Sequence, residues 1–267
     1  MTRSCRFSLS TLLLLLTPFT LTQQIPVACS RAADVALSPK QPRPTADMAD
    51  QVATAGHAET SFISLSEPAN FGIARYRVAD YADCIGTSGC YWNDLKNQTT
   101  RAEQELERLV KNRKPGENLA LVLDIDETSL SSYCEEKREE FGFIASMFNT
   151  WIVSPEASIP IPGTLALYNR ARALNVGIYF ITGRFHNQAE ATARNLKAAG
   201  YTDWTELILR DDSEHDTDTT TYKSNHRLEI AKTHRIILNV GDQWSDLNGP
   251  AKAEVSVKLP NPFYYLP

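Results

Sequence analysis

Four short stretches of this chain carry side chains whose types and spacing could do chemistry. Asp124-Ile125-Asp126-Glu127-Thr128 follows the apolar run 119–123, and Thr182-Gly183-Arg184 follows a second run over 176–181. Lys223 opens a helical pattern in Tyr222-Lys223-Ser224, and Gly241-Asp242-Gln243-Trp244-Ser245-Asp246 closes a further run over 236–240. Alternate residues leaving a strand can face one crevice, so Asp124 and Asp126 can converge as an ionised nucleophile and an acid–base group. The Thr182 hydroxyl and the Gly183 amide can both donate to a phosphoryl oxygen, and glycine lets the backbone come close. Asp242 suits a hard divalent cation, since Mg²⁺ takes one or two carboxylates together with phosphate oxygens and water. Asp246 either ligates that cation or orients a ligand. Lys223 would offset phosphate charge opposite the metal, aided by the dipoles of a helix N-terminus. Each stretch alone has a bland reading as a solvated turn or a surface lysine. Their joint position at strand ends points to phosphate chemistry, because ligands of open parallel sheets bind beyond the carboxyl ends of the strands.

The elements that must hold these groups are legible in the hydrophobic pattern. Four apolar runs, 119–123, 176–181, 207–209 and 236–240, have the length and composition of strands buried on both faces. Helical patterns lie at 95–112, 164–175, 187–199 and 223–234. Alternation of this kind predicts an α/β fold, a Rossmann-like three-layer α/β/α parallel sheet with right-handed crossovers. Residues 129–163 read as a small helical insertion after the first motif strand, near the mouth of the site.

Composition bounds the rest. The 267 residues are 42% hydrophobic, 9% aromatic and 22% charged, which excludes collagen-like and wholly disordered chains. Formal charge is −5; without residues 1–30, which hold Arg3, Arg6 and no acid, 25 basic residues face 32 acidic ones, or −7. Such a chain is a poor binder of nucleic-acid polymer or anionic lipid. Arg3 and Arg6 before Leu12–Leu16, and then Val27-Ala28-Cys29-Ser30, read as a cleaved export signal over 1–30, with a core too short to be a transmembrane segment. Cys29 raises the alternative of a lipid-modified cysteine. Residues 31–67 read as a flexible linker, and 68–267 as the phosphate-handling domain. Assigning Cys5 and Cys29 to the signal leaves Cys84, Cys90 and Cys134, of which Cys84 and Cys90 could close a small loop and one is odd.

As a set, the four stretches resemble the haloacid-dehalogenase superfamily. DxDxT appears as Asp124, Asp126 and Thr128, the second motif's hydroxyl as Thr182, the third motif's lysine as Lys223, and GDxxxD as Asp242 and Asp246. DIDETSLS at 124–131, FITGR at 180–184, NLKAAGY at 195–201, YKS at 222–224 and GDQWSDL at 241–247 resemble the secreted acid phosphatases of subfamily IIIB, which include plant vegetative storage proteins and bacterial relatives. The resemblance covers about 95–262. It implies a Mg²⁺-dependent phosphomonoester hydrolase in which Asp124 attacks phosphorus and Asp126 serves as acid and then base. Asp124, Asp242 and the Asp126 backbone carbonyl would hold the metal, while Thr182, Gly183 and Lys223 hold the phosphate. The superfamily's dehalogenases lack the second aspartate, so Asp126 favours phosphoryl chemistry. No Gly-x-x-x-x-Gly-Lys loop occurs, which favours water as acceptor. The substrate is expected to be a small-molecule phosphomonoester, with sugar phosphates, nucleoside monophosphates and aromatic phosphates all open. The competing expectation is an exported storage or phosphate-binding protein with little turnover.

Other features receive structural readings. The acidic run 211–218 reads as a solvated loop and His186 as structural. Arg184 reaches either phosphate or an acidic residue of the insertion. Trp151, Trp204 and Trp244 are expected to be packing residues. Asn97-Gln98-Thr99 is a glycosylation sequon only in a host that glycosylates. Oligomeric state is left open.

Overall fold

The run Leu119–Leu123 forms strand β1, with all five residues buried. In the computed structural model, which describes residue 29, residues 70–85 and residues 89–266, this strand is the centre of a five-stranded sheet. The other strands are β2 (Gly177–Phe185), β3 (Glu206–Arg210), β4 (Arg235–Gly241) and β5 (Val255–Lys258). Their order is β3-β2-β1-β4-β5, and every pair is parallel. Two faces must therefore be covered. Leu119, Leu121 and Leu123 join one cluster with Leu95, Leu106, Leu167 and Leu196, whereas Ala120 and Val122 pack with Tyr222 and Ile230 on the other side. Each fully buried leucine contributes about 1.5–3 kcal/mol relative to an exposed one. The expected three-layer α/β/α arrangement is what these two clusters describe.

The described helices are α1 (Phe71–Ala82), α2 (Tyr91–Val110), α3 (Tyr133–Arg138), α4 (Ala145–Trp151), α5 (Pro162–Ala173), α6 (Ala189–Ala198), α7 (Thr219–Ala231) and α8 (Trp244–Leu247). Helix α2 starts four residues before the sequence pattern suggested, because Tyr91 and Trp92 are already buried against the core. Strand β5 and helix α1 escaped the pattern. The first is a four-residue, half-exposed edge strand; the second buries only Ala79 and Ala82.

The insertion leaves and returns at one point. Leu130 bridges Pro160, Ser131 N–H donates to the Ile159 carbonyl and Ile161 N–H to that of Ser129. Between these contacts the chain forms α3, α4 and a single turn over Pro155–Ala157, as the helical expectation required. Asp83, capping α1, accepts from Tyr133 Oη at 2.5 Å and Lys137 Nζ at 2.9 Å, which fastens α3 to the body.

The cysteines require one correction. Cys84 and Cys90 are paired, with Cα atoms 4.4 Å apart. Cys29 is also paired, to Cys134 of α3, with Cα atoms 5.3 Å apart. A sulfur bonded to that of Cys134 cannot also carry a lipid thioether, and the bridge ties Cys29 to α3. No odd thiol then remains among Cys29, Cys84, Cys90 and Cys134. The signal sequence, Cys5 and the linker 31–67 lie outside the described residues. Among the described residues no helix is long and apolar enough to cross a membrane.

Candidate active site

Strand order reverses at β1, so the crevice beyond β1, β2 and β4 is the topological switch point. Three devices aim side chains into it. After β1 the backbone turns sharply: Ser129 Oγ donates to the Asp124 carbonyl at 2.6 Å, Leu130 N–H to that of Ile125 at 2.8 Å, and Glu127 takes a left-handed φ of 53°. In β2 the pairing with β3 slips between Ile181 and Phe185, so Thr182-Gly183-Arg184 form a bulge that re-aims these residues. After β4, Asp246 folds back over Gly241, where a Cβ would fall 2.3 Å from that of Asp246; only glycine fits.

These devices gather the expected residues. One carboxylate oxygen from each of Asp124, Asp242 and Asp246 lies within 4.8 Å of the others, and all three residues are buried. Lys223 does not open its helix as expected, because α7 begins at Thr219 and puts it in the second turn; from there it donates to Asp124 Oδ1 and Asp246 Oδ1, both at 2.5 Å. Thr128 Oγ1 donates to Asp242 Oδ1 at 3.1 Å. Asp246 Oδ2 also accepts from Gln243 N–H at 2.8 Å, so its side chain is committed to Lys223 and its own turn. Thr182 is fully buried, its carbonyl held by Tyr222 Oη at 3.0 Å and its hydroxyl accepting from Arg184 N–H at 3.2 Å. Gly183 is exposed, and a Cβ there would meet nothing within 4 Å, so packing does not demand the glycine.

Arg184 takes neither of the two partners expected of it. Its guanidinium grips Asp126, with Nη2 at 2.6 Å from Oδ1 and Nε at 3.0 Å from Oδ2, and is buried beside Thr192. Arg227 was also missed. It is fully buried and donates to the carbonyls of Asp246, Asn248 and Ala251, clamping the turn that carries Asp246. Trp244 is corrected from a packing residue to one 58% exposed, with the Lys258 ammonium 5.7 Å above its ring. Trp151 is buried as expected. His186 is exposed, 3.6 Å from Asp211, and the acidic loop contributes Asp218 as the N-cap of α7 and Glu214 as a partner of His226.

A profile of the HAD superfamily, subfamily IIIB (acid phosphatase), matches residues 50–267. The chain belongs to this subfamily. Acid phosphatase 1 of Solanum lycopersicum is 37% identical over 149 residues, covering 54% of this chain and 58% of that protein. Stem 31 kDa glycoprotein of Glycine max is 30% identical over 191 residues, 69% of this chain and 75% of its own. Vegetative storage protein 1 of Arabidopsis thaliana is 35% identical over 150 residues, 55% of each chain. The chain thus spans between about half and three-quarters of the length of these relatives. Among solved structures, the class C acid phosphatase from Bacillus anthracis aligns with a TM-score of 0.59 and 22% identity over 72% of this chain and 86% of that one, a likeness of fold.

In this subfamily IIIB site the charges do not balance within the protein. Asp126 is matched by Arg184, but among the described residues Asp124 and Asp246 share Lys223 as their one ion-pair partner, and Asp242 has none. Fully ionised, the buried group carries two negative charges in excess, and buried charge is costly unless it is paired. Burial drives the Asp124 carboxyl up, Lys223 offsets part of that, and Asp246, Asp242 and Asp126 raise it again, leaving it well above the ordinary range. Burial and Asp246 push Asp242 up to about 7, against the Asn261 hydrogen bond. Burial opposes the Lys223 ammonium, yet Asp124 and Asp246 more than compensate, so it stays charged. An all-oxygen donor set with two unpaired charges fits a divalent cation such as Mg²⁺.

A stability prediction follows for the metal-free protein. Burial raises Glu127 to about 8 and Glu136 to about 7, alongside Asp242 at about 7. Unfolded, these groups ionise near pH 4. The folded chain therefore holds more protons between about pH 4 and about pH 8, and its stability falls as pH rises through that window. Chelator-treated protein should melt higher near about pH 5 than near about pH 7.5; the reverse order in calorimetry would contradict these shifts.

Proposed function

We propose that this chain is an exported, Mg²⁺-dependent phosphomonoester hydrolase that works through an aspartyl-phosphate on Asp124. The observation that carries the reading is the buried Asp124–Asp242–Asp246 group at the switch point, two charges short of neutrality with Lys223 as partner. Asp124, Asp242 and the Asp126 carbonyl would hold the cation, whose positive charge screens the repulsion between an anionic nucleophile and an anionic ester.

Asp124 attacks phosphorus with a carboxylate oxygen while the ester P–O bond breaks. Asp126, ion-paired with Arg184 in this structure, must take up a proton before this step and then gives it to the leaving oxygen. It then takes a proton from water as that water's oxygen bonds to phosphorus and the P–O bond to Asp124 breaks, releasing phosphate. Arg184 fixes the direction of the ionised Asp126 carboxylate, the form that takes the proton from water. Thr182, the Gly183 amide and Lys223 would hold the remaining phosphoryl oxygens in a cage whose dipoles are already set. Asp246 keeps Lys223 in place, and Thr128 orients Asp242.

Small phosphomonoesters, nucleoside monophosphates among them, fit this chemistry. The two disulfides support folding in an oxidising, exported compartment. Phosphate release from an aryl phosphomonoester tests the reading. Turnover is expected with Mg²⁺, with a loss of about 100-fold or more under a chelator and recovery on adding the cation back. Bound but unhydrolysed ester at every divalent cation tried would leave the storage or phosphate-binding alternative in its place.

A further inference from the structure

Past β5 the chain does not leave the fold. Leu259 is fully buried and its N–H donates to the Gly241 carbonyl at 2.9 Å, one residue before Asp242. Asn261 then donates through Nδ2 to Asp242 Oδ2 at 2.8 Å. The sense of that amide is fixed, because its Oδ1 accepts from Phe263 N–H at 2.8 Å, which leaves the NH₂ group facing the carboxylate. Gln243 Nε2 reaches the same Asp242 oxygen at 2.8 Å, and the C-terminal segment holds Gln243 in turn, since Leu266 N–H donates to Gln243 Oε1 at 3.2 Å. Tyr264 Oη donates to Glu127 Oε2 at 3.0 Å, next to Asp126. Phe263 packs against Tyr91 of α2, and against Tyr133 and Phe141 of the insertion, with ring centroids 5.1, 5.4 and 5.9 Å apart.

We propose that residues 259–266 form an arm that sets the Asp242 carboxylate for its cation, with Asn261 as the positioning residue and Tyr264 as the tie to the β1 turn. The inference rests on Asp242 being a cation ligand. Among the described residues Asp242 Oδ2 takes two amide donors, whereas Oδ1 takes the Thr128 hydroxyl alone. A carboxylate oxygen has two lone pairs, so Oδ2 is filled by the arm and its partner while Oδ1 keeps acceptor capacity. Groups that orient a metal ligand from behind contribute about 10–100-fold in affinity. The arm also touches α2, the β1 turn and the insertion together, so its seat joins the cation site to the segment that borders it.

The test is Mg²⁺ binding to the chelator-treated full chain, followed by titration calorimetry and by the rise in melting temperature on adding Mg²⁺. Asn261→Ala is expected to weaken Mg²⁺ binding by about 10-fold or more, and to shrink the Mg²⁺-induced rise in melting temperature. Tyr264→Phe, which keeps the ring and removes the hydroxyl, should weaken binding several-fold. Asn261→Leu matches the amide in volume, lacks its donor and carries the same expectation where the alanine variant melts too early. Mg²⁺ affinity equal to the parental value in the Asn261 variants overturns the arm while leaving the cation site intact. A parental chain that binds no divalent cation overturns the site itself.

Discussion

Asp124→Asn, assayed on a chromogenic aryl phosphate with saturating Mg²⁺, is expected to lose about 10⁴-fold or more in turnover. An amide oxygen is a poor nucleophile towards phosphorus, and no neighbouring group stands in for it. Asp246 is held by Lys223 and its own turn, and Asp242 by two amides and a hydroxyl. The fold should survive. Replacing Asp124 by its amide removes one of the three carboxylates crowded within 4.8 Å, so the metal-free variant should melt no lower than its parent. That pairing of lost turnover with retained stability separates a nucleophile from a structural acid. Parental turnover in the variant would remove the covalent mechanism, and would leave the subfamily fold as a scaffold for something else. The vegetative storage relatives make that contrast worth measuring.

What the sequence disclosed, and what it hid, divides along the range of the contacts involved. β1 was legible because all five of its residues are buried, so its apolar run is unbroken. Asp124, Thr182 and Asp242 were legible because each stands at the end of an apolar run, Thr128 and Asp246 because they follow at motif spacing, and Lys223 only through the family resemblance of the set. β5 was not, since a short edge strand leaves Ser256 and Lys258 partly in solvent and interrupts the pattern. The partners were hidden too. Arg184 meets Asp126 across 58 residues, Tyr264 meets Glu127 across 137 and Cys29 meets Cys134 across 105. Nothing local marks such pairs. A fully buried Glu127 in a left-handed turn is dictated by Ser132 and Tyr264, which only the folded chain brings to it. The insertion illustrates the same limit: its helical character was readable, but the seat of α3 depends on Asp83 and Phe263, far away in sequence.

Asp126→Asn should slow turnover by about 10²–10⁴-fold, the range lost with a positioned acid–base group. The loss should depend on the leaving group. A nitrophenolate departs with little help from a proton, so the first half-reaction suffers less on that ester than on an alkyl phosphate. The second half-reaction suffers alike on both, since water still needs a base. On the aryl ester the variant should therefore release a burst of phenol and then stall, with one phosphoryl group retained on Asp124 and visible by mass spectrometry of the intact chain. Arg184 complicates the comparison. It is buried, and its Nη2 and Nε both spend themselves on the carboxylate, so the amide leaves one donor short, a cost of about 1–3 kcal/mol. Melting temperature must accordingly be measured on the same preparation, and the leaving-group dependence supplies the discriminating readout, because a loosened fold would slow aryl and alkyl esters in equal proportion. Equal slowing with no phosphorylated species would strip Asp126 of its proton-transfer role and leave it as the anchor of Arg184.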